Sequence, residues 1–435
     1  MKVRRVILVC LALLLLGNAV VGYRAYSKDA KAGDTEKVFD DLAIMMQVLQ
    51  LIRTNYVDAE QVSSDQLLTD AIIGMTASLD PFSEYMPPAD LKHLNEQTQG
   101  SFGGVGIQVS MKNGFMTVIT TIDDTPASRA GIMPNDQIVS VDGKDMTGVS
   151  SDGVLKLLRG EIGTKVTVGL KRQDVAEPIV VELLRARIPI HTVVNVHQIA
   201  GTKIGYIRVT EFSEPTPDAL RKALQQLEGQ RCTGLIIDLR NNPGGLLNSA
   251  CEMCSMFLPE KKLIVSVEGR NPANNYKQFA IGGYKVADQI PVAILINGGS
   301  ASAAEVMSSC LRDYRRAVLI GEKSFGKGSV QAVHNFPNGA GLKLTIAKYF
   351  TQSHTLIHGK GLQPDIVSVI DRDGYRKLYE TTDQAKKDAI DLNIQAALKW
   401  FKDGAKIPEA RAEPPAPAAD KASRNKKKPP VKGKQ

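Results

Sequence analysis

Two hydroxyls stand where a strand breaks directly into a helix. In the stretch IPVAILINGGSASAAEVMSSCL (residues 290–311) an apolar run ends in Gly-Gly-Ser, which places Ser300 and Ser302 at the N-terminus of the helix that follows. The first turn of a helix leaves N–H groups unpaired, and their partial positive charge can hold a developing oxyanion beside such a hydroxyl. The same residues would equally serve as N-cap serines with glycines to make the turn, so a base is needed before either becomes a nucleophile. GEKSFGKGSVQ (residues 321–331) offers one. Lys327 lies between two glycines that allow close backbone approach, with Gln331 four residues further on. A lysine acts as a general base only when neutral, which requires an apolar, desolvated setting that lowers its pKa. Phe325, Val330 and Val333 are suitable neighbours. A solvated loop lysine is the alternative that these residues alone leave open.

The six histidines bear on the rival arrangement, a Ser–His–Asp site. His93 lies in a helical region, His191 and His197 precede the strand-rich part, and His334, His354 and His358 follow Lys327; only His334, in a strand-like segment, is a conceivable partner for Ser302. No HExxH or comparable ligand cluster appears, which disfavours a metalloprotease.

NGGSASAAE, FGKGSVQ and, upstream, DLRNNPGG (residues 238–245) together resemble the motifs of the carboxyl-terminal processing proteases, exported Ser–Lys endopeptidases that carry a PDZ domain. The resemblance implies Ser302, the second serine of its block, as nucleophile in preference to Ser300. It implies Lys327 as general base and Gln331 as the group that orients the lysine. The oxyanion hole would use the N–H of Ala303 and that of a glycine in Asn242-Pro243-Gly244-Gly245, with Gly245 favoured over Gly244. No cofactor and no metal is implied.

Residues 101–187 resemble a PDZ domain. FGGVGIQV (residues 102–109) is a glycine-rich turn running into a strand, with Gly103, Gly104, Val105, Gly106 and Ile107 as candidate peptide-binding residues. Free N–H groups in such a turn capture a terminal carboxylate, and the following strand offers its edge to an extended peptide. A phosphate loop is excluded by the missing GK[ST] and by the strand, not helix, that follows. A helix over about 150–158 would form the other wall, with Val154 and Leu157 or Leu158 as side-chain contacts. Arg159 is a candidate for sensing substrate charge, or a solvated helix-end arginine.

The elements that must position these residues are legible from periodicity. Residues 203–212, 234–239, 291–296, 318–320 and 342–350 read as strands, with a helix from 217 to 227 among them, an alternation that signals an α/β layer. Residues 38–99 are helical, with Val38, Leu42, Met45, Met46, Leu49 and Ile52 at three- and four-residue steps that predict packing. The runs themselves predict α/β, and the resemblance implies the rest of the fold, a mixed-sheet protease core with an inserted PDZ domain and a helical N-terminal region. Its segments are 1–25, a signal peptide or membrane anchor; 38–99, the helical region; 101–187, the PDZ domain; 191–371, the protease core, discontinuous with the N-terminal region; 372–411, a C-terminal helical region with one amphipathic helix over 385–401; and 412–435, a disordered basic tail. In the core, residues 350–359 (FTQSHTLIHG) lack the early proline and glycine and the midway basic residue usual in the resembled family, which concerns the shape of a substrate-side loop.

Composition sets the bounds. At 435 residues, 43% hydrophobic and 23% charged, the chain is globular and holds two or three domains. Of its net charge of +8, the tail from residue 412 carries +5, so the folded part has no basic footprint for nucleic acid. Lys2, Arg4 and Arg5 precede an apolar run at 6–16, which predicts export to the periplasm or the outer face of the cytoplasmic membrane of a bacterial cell, with membrane contact if the segment is uncleaved. Cys10 lies in that segment. Cys232, Cys251, Cys254 and Cys310 read as buried small apolar residues or as one disulfide. The function that the resemblance implies is a serine endopeptidase acting at or near the C-termini of exported proteins, on substrates with free C-termini and as a possible homo-oligomer. The alternatives are a catalytically inactive PDZ scaffold that binds C-terminal peptides and a non-proteolytic acyl-transfer enzyme on a similar core.

Overall fold

The computed structural model describes residues 32–112, 114–173 and 175–407; the leader at 1–25 and the tail at 412–435 lie outside them. The described residues up to Tyr85 form one unit and those from Met86 onward another. Within the first, the helical periodicity resolves into α1 (Ala32–Asn55) and α2 (Ser64–Ala77), the latter started by Ser63, whose hydroxyl accepts from the Gln66 N–H. The apolar set expected to pack is instead exposed at Val38, Leu42 and Met46. Phe39, Ile44 and Leu51 of α1 are exposed too, so apolar residues ring the helix and no single stripe exists for one neighbour to cover. Among the described residues no helix is long and apolar enough to cross a membrane.

The second unit begins with α3 (Pro88–Gln99), which ends at Gly100 in the left-handed region, φ 64°. A module with its own core follows: β1 (Ser101–Gly104), β2 (Ile107–Lys112), β3 (Phe115–Thr121), β4 (Gln137–Val141), α4 (Ser151–Leu158), β5 (Lys165–Lys171), β6 (Ile179–Leu184) and β7 (Ala186–Pro189). Its antiparallel sheet runs β2-β3-β4-β5-β6, which leaves β2 at an edge, and β1 pairs with β7 where the chain enters and leaves. Val118, Ile138, Val168 and Leu170 pack with Val154 and Leu158 of α4 beneath this sheet.

Strand and helix then alternate as β8 (Val193–Gln198), β9 (Ile204–Val209), α5 (Thr216–Gly229), β10 (Gly234–Asp238), α6 (Leu247–Ser255), β11 (Leu263–Gly269), β12 (Tyr276–Phe279), β13 (Val292–Ile296), α7 (Ala303–Asp313), β14 (Ala317–Gly321), β15 (Ser329–Asn335), β16 (Gly341–Phe350) and β17 (Ile366–Val367). The central sheet runs β8-β9-β10-β13-β14-β17, parallel except for β8. Its strands are continuous apolar runs because both faces are covered. Ile237, Ile294 and Leu319 point toward Leu224, Met253 and Met307 of the helices on one face, whereas Ile236, Leu295 and Ile320 point to the other. A smaller antiparallel sheet, β15-β16-β11-β12, stands beside it.

After α8 (Arg372–Glu380), that other face is closed by the last helices of the chain. The single amphipathic helix expected over 385–401 is two, α9 (Gln384–Ile390) and α10 (Leu392–Lys402), because Asp391 ends one and caps the other, accepting from the N–H groups of Asn393 and Ile394. Ile394, Ala397 and Trp400 of α10 are buried against the sheet. Asp391 also pairs with Arg240 at 2.8 Å, and Arg240 pairs with Asp238 at 2.6 Å. Burial works to raise the Asp238 carboxyl, but the Arg240 guanidinium holds it below its usual range. The cysteines described, Cys232, Cys251, Cys254 and Cys310, are free thiols; the last three are buried as small core residues, with burial pushing Cys251 up to about 12, whereas Cys232 is half-buried.

A second tie joins β8 to α9, where His197 Nε2 meets Asp388 Oδ2 at 2.7 Å. That hydrogen bond raises His197 above its ordinary 6.5, against the opposing effect of burial. The stabilisation is therefore complete below the ordinary histidine pKa and is lost as pH rises through the elevated folded-state value. Urea midpoints of the wild type and Asp388→Asn are expected to differ most near about pH 5.5 and to converge toward about pH 9.

Candidate active site

Three loops leave the carboxyl ends of adjacent parallel strands: 239–245 after β10, 297–302 after β13 and 322–328 after β14. Strand order alone thus gathers segments far apart in the chain into one crevice, the usual place for a site in an open α/β sheet.

The first two loops are stitched together. Asn241 and Asn297 exchange hydrogen bonds, from the Asn241 N–H to Asn297 Oδ1 at 2.9 Å and from Asn297 Nδ2 to Asn241 Oδ1 at 3.0 Å. The Ala301 N–H donates to the Asn242 carbonyl at 2.9 Å. The Ser300 hydroxyl donates to the Leu239 carbonyl at 2.7 Å and accepts from the Asn297 N–H at 3.0 Å, and the residue is fully buried. Ser300 is thereby committed to holding the turn. Ser302 is only half-buried and sits at φ 53°, ψ −117°, a region a non-glycine residue occupies at a cost of about 1–3 kcal/mol and only when its surroundings enforce it.

Gly244 lies against this residue. A Cβ there would fall 2.7 Å from Ser302 Cβ and 2.8 Å from the Ala301 carbonyl oxygen, and its φ of 102° also favours glycine. The Gly244 N–H is taken by Asn242 Oδ1 at 2.9 Å. Among the described residues, the N–H groups of Gly245 and Ala303 donate to no protein acceptor. Gly245 follows in the same loop at φ 134°, where a Cβ would fall 2.1 Å from the Phe212 carbonyl oxygen.

The third loop joins the turn at Ser302 through a residue not singled out in the sequence. Glu305, in the first turn of α7, is fully buried and accepts four hydrogen bonds. Oε1 takes the Ser324 hydroxyl at 2.5 Å and the Gly326 N–H at 2.8 Å, while Oε2 takes the Lys327 N–H at 2.8 Å and the Ser302 N–H at 2.9 Å. Burial raises this carboxyl above its ordinary value, and the four donors pull against that rise. Ser302 and Lys327 are thus neighbours on one carboxylate oxygen. The signal was present, since Ser302-x-x-Glu305 is the spacing of a capping box, and the alignment of two loops on its second residue was the part not readable. The Phe325 N–H adds a bond to the Ser300 carbonyl at 3.0 Å. Around the lysine the backbone is close: a Cβ on Gly328 would lie 2.6 Å from the His358 nitrogen, and one on Gly326 2.8 Å from the Gly361 nitrogen. The segment 350–359 therefore ends pressed against the lysine loop.

Gln331 lies on β15, where its amide nitrogen donates to Ser329 Oγ at 2.9 Å and Thr345 Oγ1 at 3.2 Å. Among the described residues no histidine hydrogen-bonds to Ser302, and His334 lies exposed on β15. In the other module, Gly103 and Gly104 pair with Arg187 and Ala186 in the β1–β7 ladder, Val105 and Gly106 form the turn, and Ile107 opens the edge strand β2. Gly106 is required there, because a Cβ would fall 2.3 Å from the Thr125 side chain. Arg159, just past α4, lies over the Phe102 ring at 4.5 Å.

A PDZ module carried beside a mixed-sheet core with its loops gathered in this way is the architecture of a PDZ-bearing peptidase. The family model "Peptidase family S41" matches residues 203–368, "PDZ domain" matches 103–183, and "Activating protease CtpB N-terminal domain" matches 17–89. A carboxy-terminal-processing protease of Bartonella bacilliformis is 36% identical over 370 residues, 84% of this chain and 82% of the relative. The carboxy-terminal processing protease CtpA of Bacillus subtilis is 36% identical over 396 residues, 90% of this chain and 81% of the relative. Among solved structures, that of a photosystem II D1 C-terminal processing protease is 28% identical, with a TM-score of 0.42 over 78% of this chain and 97% of its own. The chain belongs to the carboxy-terminal processing proteases of peptidase family S41.

Two substitutions separate the roles within the turn. Ser300→Ala removes a buried hydroxyl with two partners and is expected to lower unfolding free energy by about 1–3 kcal/mol, read by urea titration. Gly244→Ala forces its loop away from Ser302, and peptidase activity is expected to fall at least about tenfold with substrate binding retained, measured as a loss in kcat at unchanged KM.

Proposed function

We propose that the protein is a serine endopeptidase that cleaves polypeptides at or near their C-termini through a dyad of Ser302 and Lys327. The observation that carries this reading is the shared carboxylate oxygen of Glu305, which brings the backbones of these two residues together. Neutral Lys327 takes the proton from the Ser302 hydroxyl as its oxygen attacks the peptide carbonyl, forming a C–O bond and an oxyanion. The uncommitted N–H groups of Ala303 and Gly245 receive that charge. Collapse breaks the C–N bond, the lysine ammonium returns its proton to the departing amine, and an acyl-enzyme remains. Water, deprotonated by the same lysine, then releases the acid product and restores the serine. Gln331 orients the lysine, for which its amide oxygen is the suitable end, since Ser329 and Thr345 hold the nitrogen.

The PDZ module supplies recognition. A substrate's terminal carboxylate docks at the turn through Gly103, Gly104, Val105, Gly106 and Ile107, and its last residues add to the free edge of β2. The basic, apolar leader supports an enzyme that acts outside the cytoplasmic membrane on exported chains. In a casein digestion, Ser302→Ala and Lys327→Ala are each expected to lose at least about a thousandfold in rate while remaining folded, as triad members do elsewhere. Cleavage at the wild-type rate by either variant would sink the dyad and leave a protein that docks peptides.

A further inference from the structure

Glu305 holds Ser302 and Lys327 by their N–H groups, and a second buried side chain holds the same two residues by their carbonyls. Tyr349, on β16, is 2% exposed, and its hydroxyl is shared between the Ser302 carbonyl oxygen, at 3.1 Å, and the Lys327 carbonyl oxygen. The Tyr349 N–H also donates to the Gly328 carbonyl at 3.1 Å, so the strand meets the lysine loop through backbone as well as side chain. Each residue of the dyad is therefore fixed on both sides of its Cα, by an acceptor on the amide and a donor on the carbonyl. Burial first, and then the charge of Glu305, raise the phenol well above its ordinary value, which keeps the hydroxyl a donor across the working pH range.

We infer that Tyr349 is a positioning residue for peptide cleavage, its hydroxyl setting the separation and relative orientation of Ser302 and Lys327. The inference rests on the dyad reading given above. With both backbones clamped, only side-chain torsions remain to bring the amine to the hydroxyl, and proton transfer needs heavy atoms within about 2.6–3.2 Å. A misplacement of about 1 Å at such a site costs on the order of a hundredfold in rate. The Ser302 carbonyl would remain satisfied without the phenol, since the N–H groups of Glu305 and Val306 also reach it at 2.8 and 3.0 Å. Loss of the hydroxyl is therefore felt chiefly as loss of the link to the lysine loop.

The test compares the full-length wild type with Tyr349→Phe, Glu305→Gln, Ser302→Ala and Lys327→Ala on an internally quenched peptide ending in a free carboxylate, with rates divided by the folded fraction from near-ultraviolet circular dichroism. Tyr349→Phe keeps the ring and the strand pairing, and its kcat per folded molecule is expected to fall about tenfold or more with KM within about twofold. A wild-type kcat per folded molecule, or a rise in KM alone, would overturn the inference. Should the phenylalanine variant not fold, Glu305→Gln reads the same clasp from its amide side, because it replaces an acceptor oxygen with a donor facing two N–H groups, and an unchanged kcat there would overturn it as well. Activity surviving in Ser302→Ala or Lys327→Ala would instead overturn the dyad, and the role of Tyr349 with it.

Discussion

The site depends on one carboxylate placed where carboxylates are costly. Glu305 is sealed from solvent, and an ion so buried without partners would be destabilising by several kcal/mol. Four donors offset that, two to each oxygen, an arrangement suited to an all-acceptor group. Three of the four are backbone N–H groups, which no substitution other than proline removes. The loops after β13 and β14 each present a polar backbone edge that needs a partner once buried, and one side chain serves both. Ser302 and Lys327 are therefore held in a single hydrogen-bonded knot rather than on two flexible loops that meet by chance.

The strain at Ser302 follows from the same knot. Ser302 holds a positive φ at the head of α7, and nothing in its own chemistry favours that backbone. It persists because the residues leading into it and its own N–H are committed: Ser300 to Leu239, Ala301 to Asn242, and the Ser302 N–H to Glu305. Gly244 completes the enclosure, since any larger residue would occupy the space of Ser302 Cβ. The glycines of DLRNNPGG and the small residues of NGGSASAAE are thus two halves of one fitted surface.

How much of this was legible in the sequence depended on the range of the interaction that decides each feature. Strands β9, β10, β13, β14 and β16 were readable because burial on both faces, or regular alternation, writes itself into consecutive residues. The helix at 150–158 followed from the PDZ resemblance, and Ser150 caps it in the structure. The apparent helix at 385–401 broke at Asp391 because that carboxylate has partners in Arg240, some 150 positions earlier, and nothing local records them. The apolar positions of α1 mimic a packing stripe in sequence, yet exposure depends on what lies beside a helix, not on its own periodicity. Ser302 and Lys327 could be singled out because their neighbours form blocks of small residues. Tyr349 could not, since a tyrosine in a strand reads as core, and only the tertiary arrangement gives its hydroxyl two carbonyls to join.

The Arg240 cluster shows how far the support of the loops extends. Arg240 begins the loop that carries Gly244 and Gly245, and its buried guanidinium is shared by Asp238, Asp391 and Asn393. Asp391 and Asn393 belong to the start of α10, whose Ile394, Ala397 and Trp400 cover the sheet face opposite α6 and α7. Without α10 the guanidinium would lose three of its acceptors and the sheet would lose the cover on one face, so the C-terminal helix is a working part of the core and not an appendage to it. A buried charge left with half its partners is more destabilising than an absent one. The loop that carries Gly244 and Gly245 and the helix some 150 residues away must therefore be ordered together.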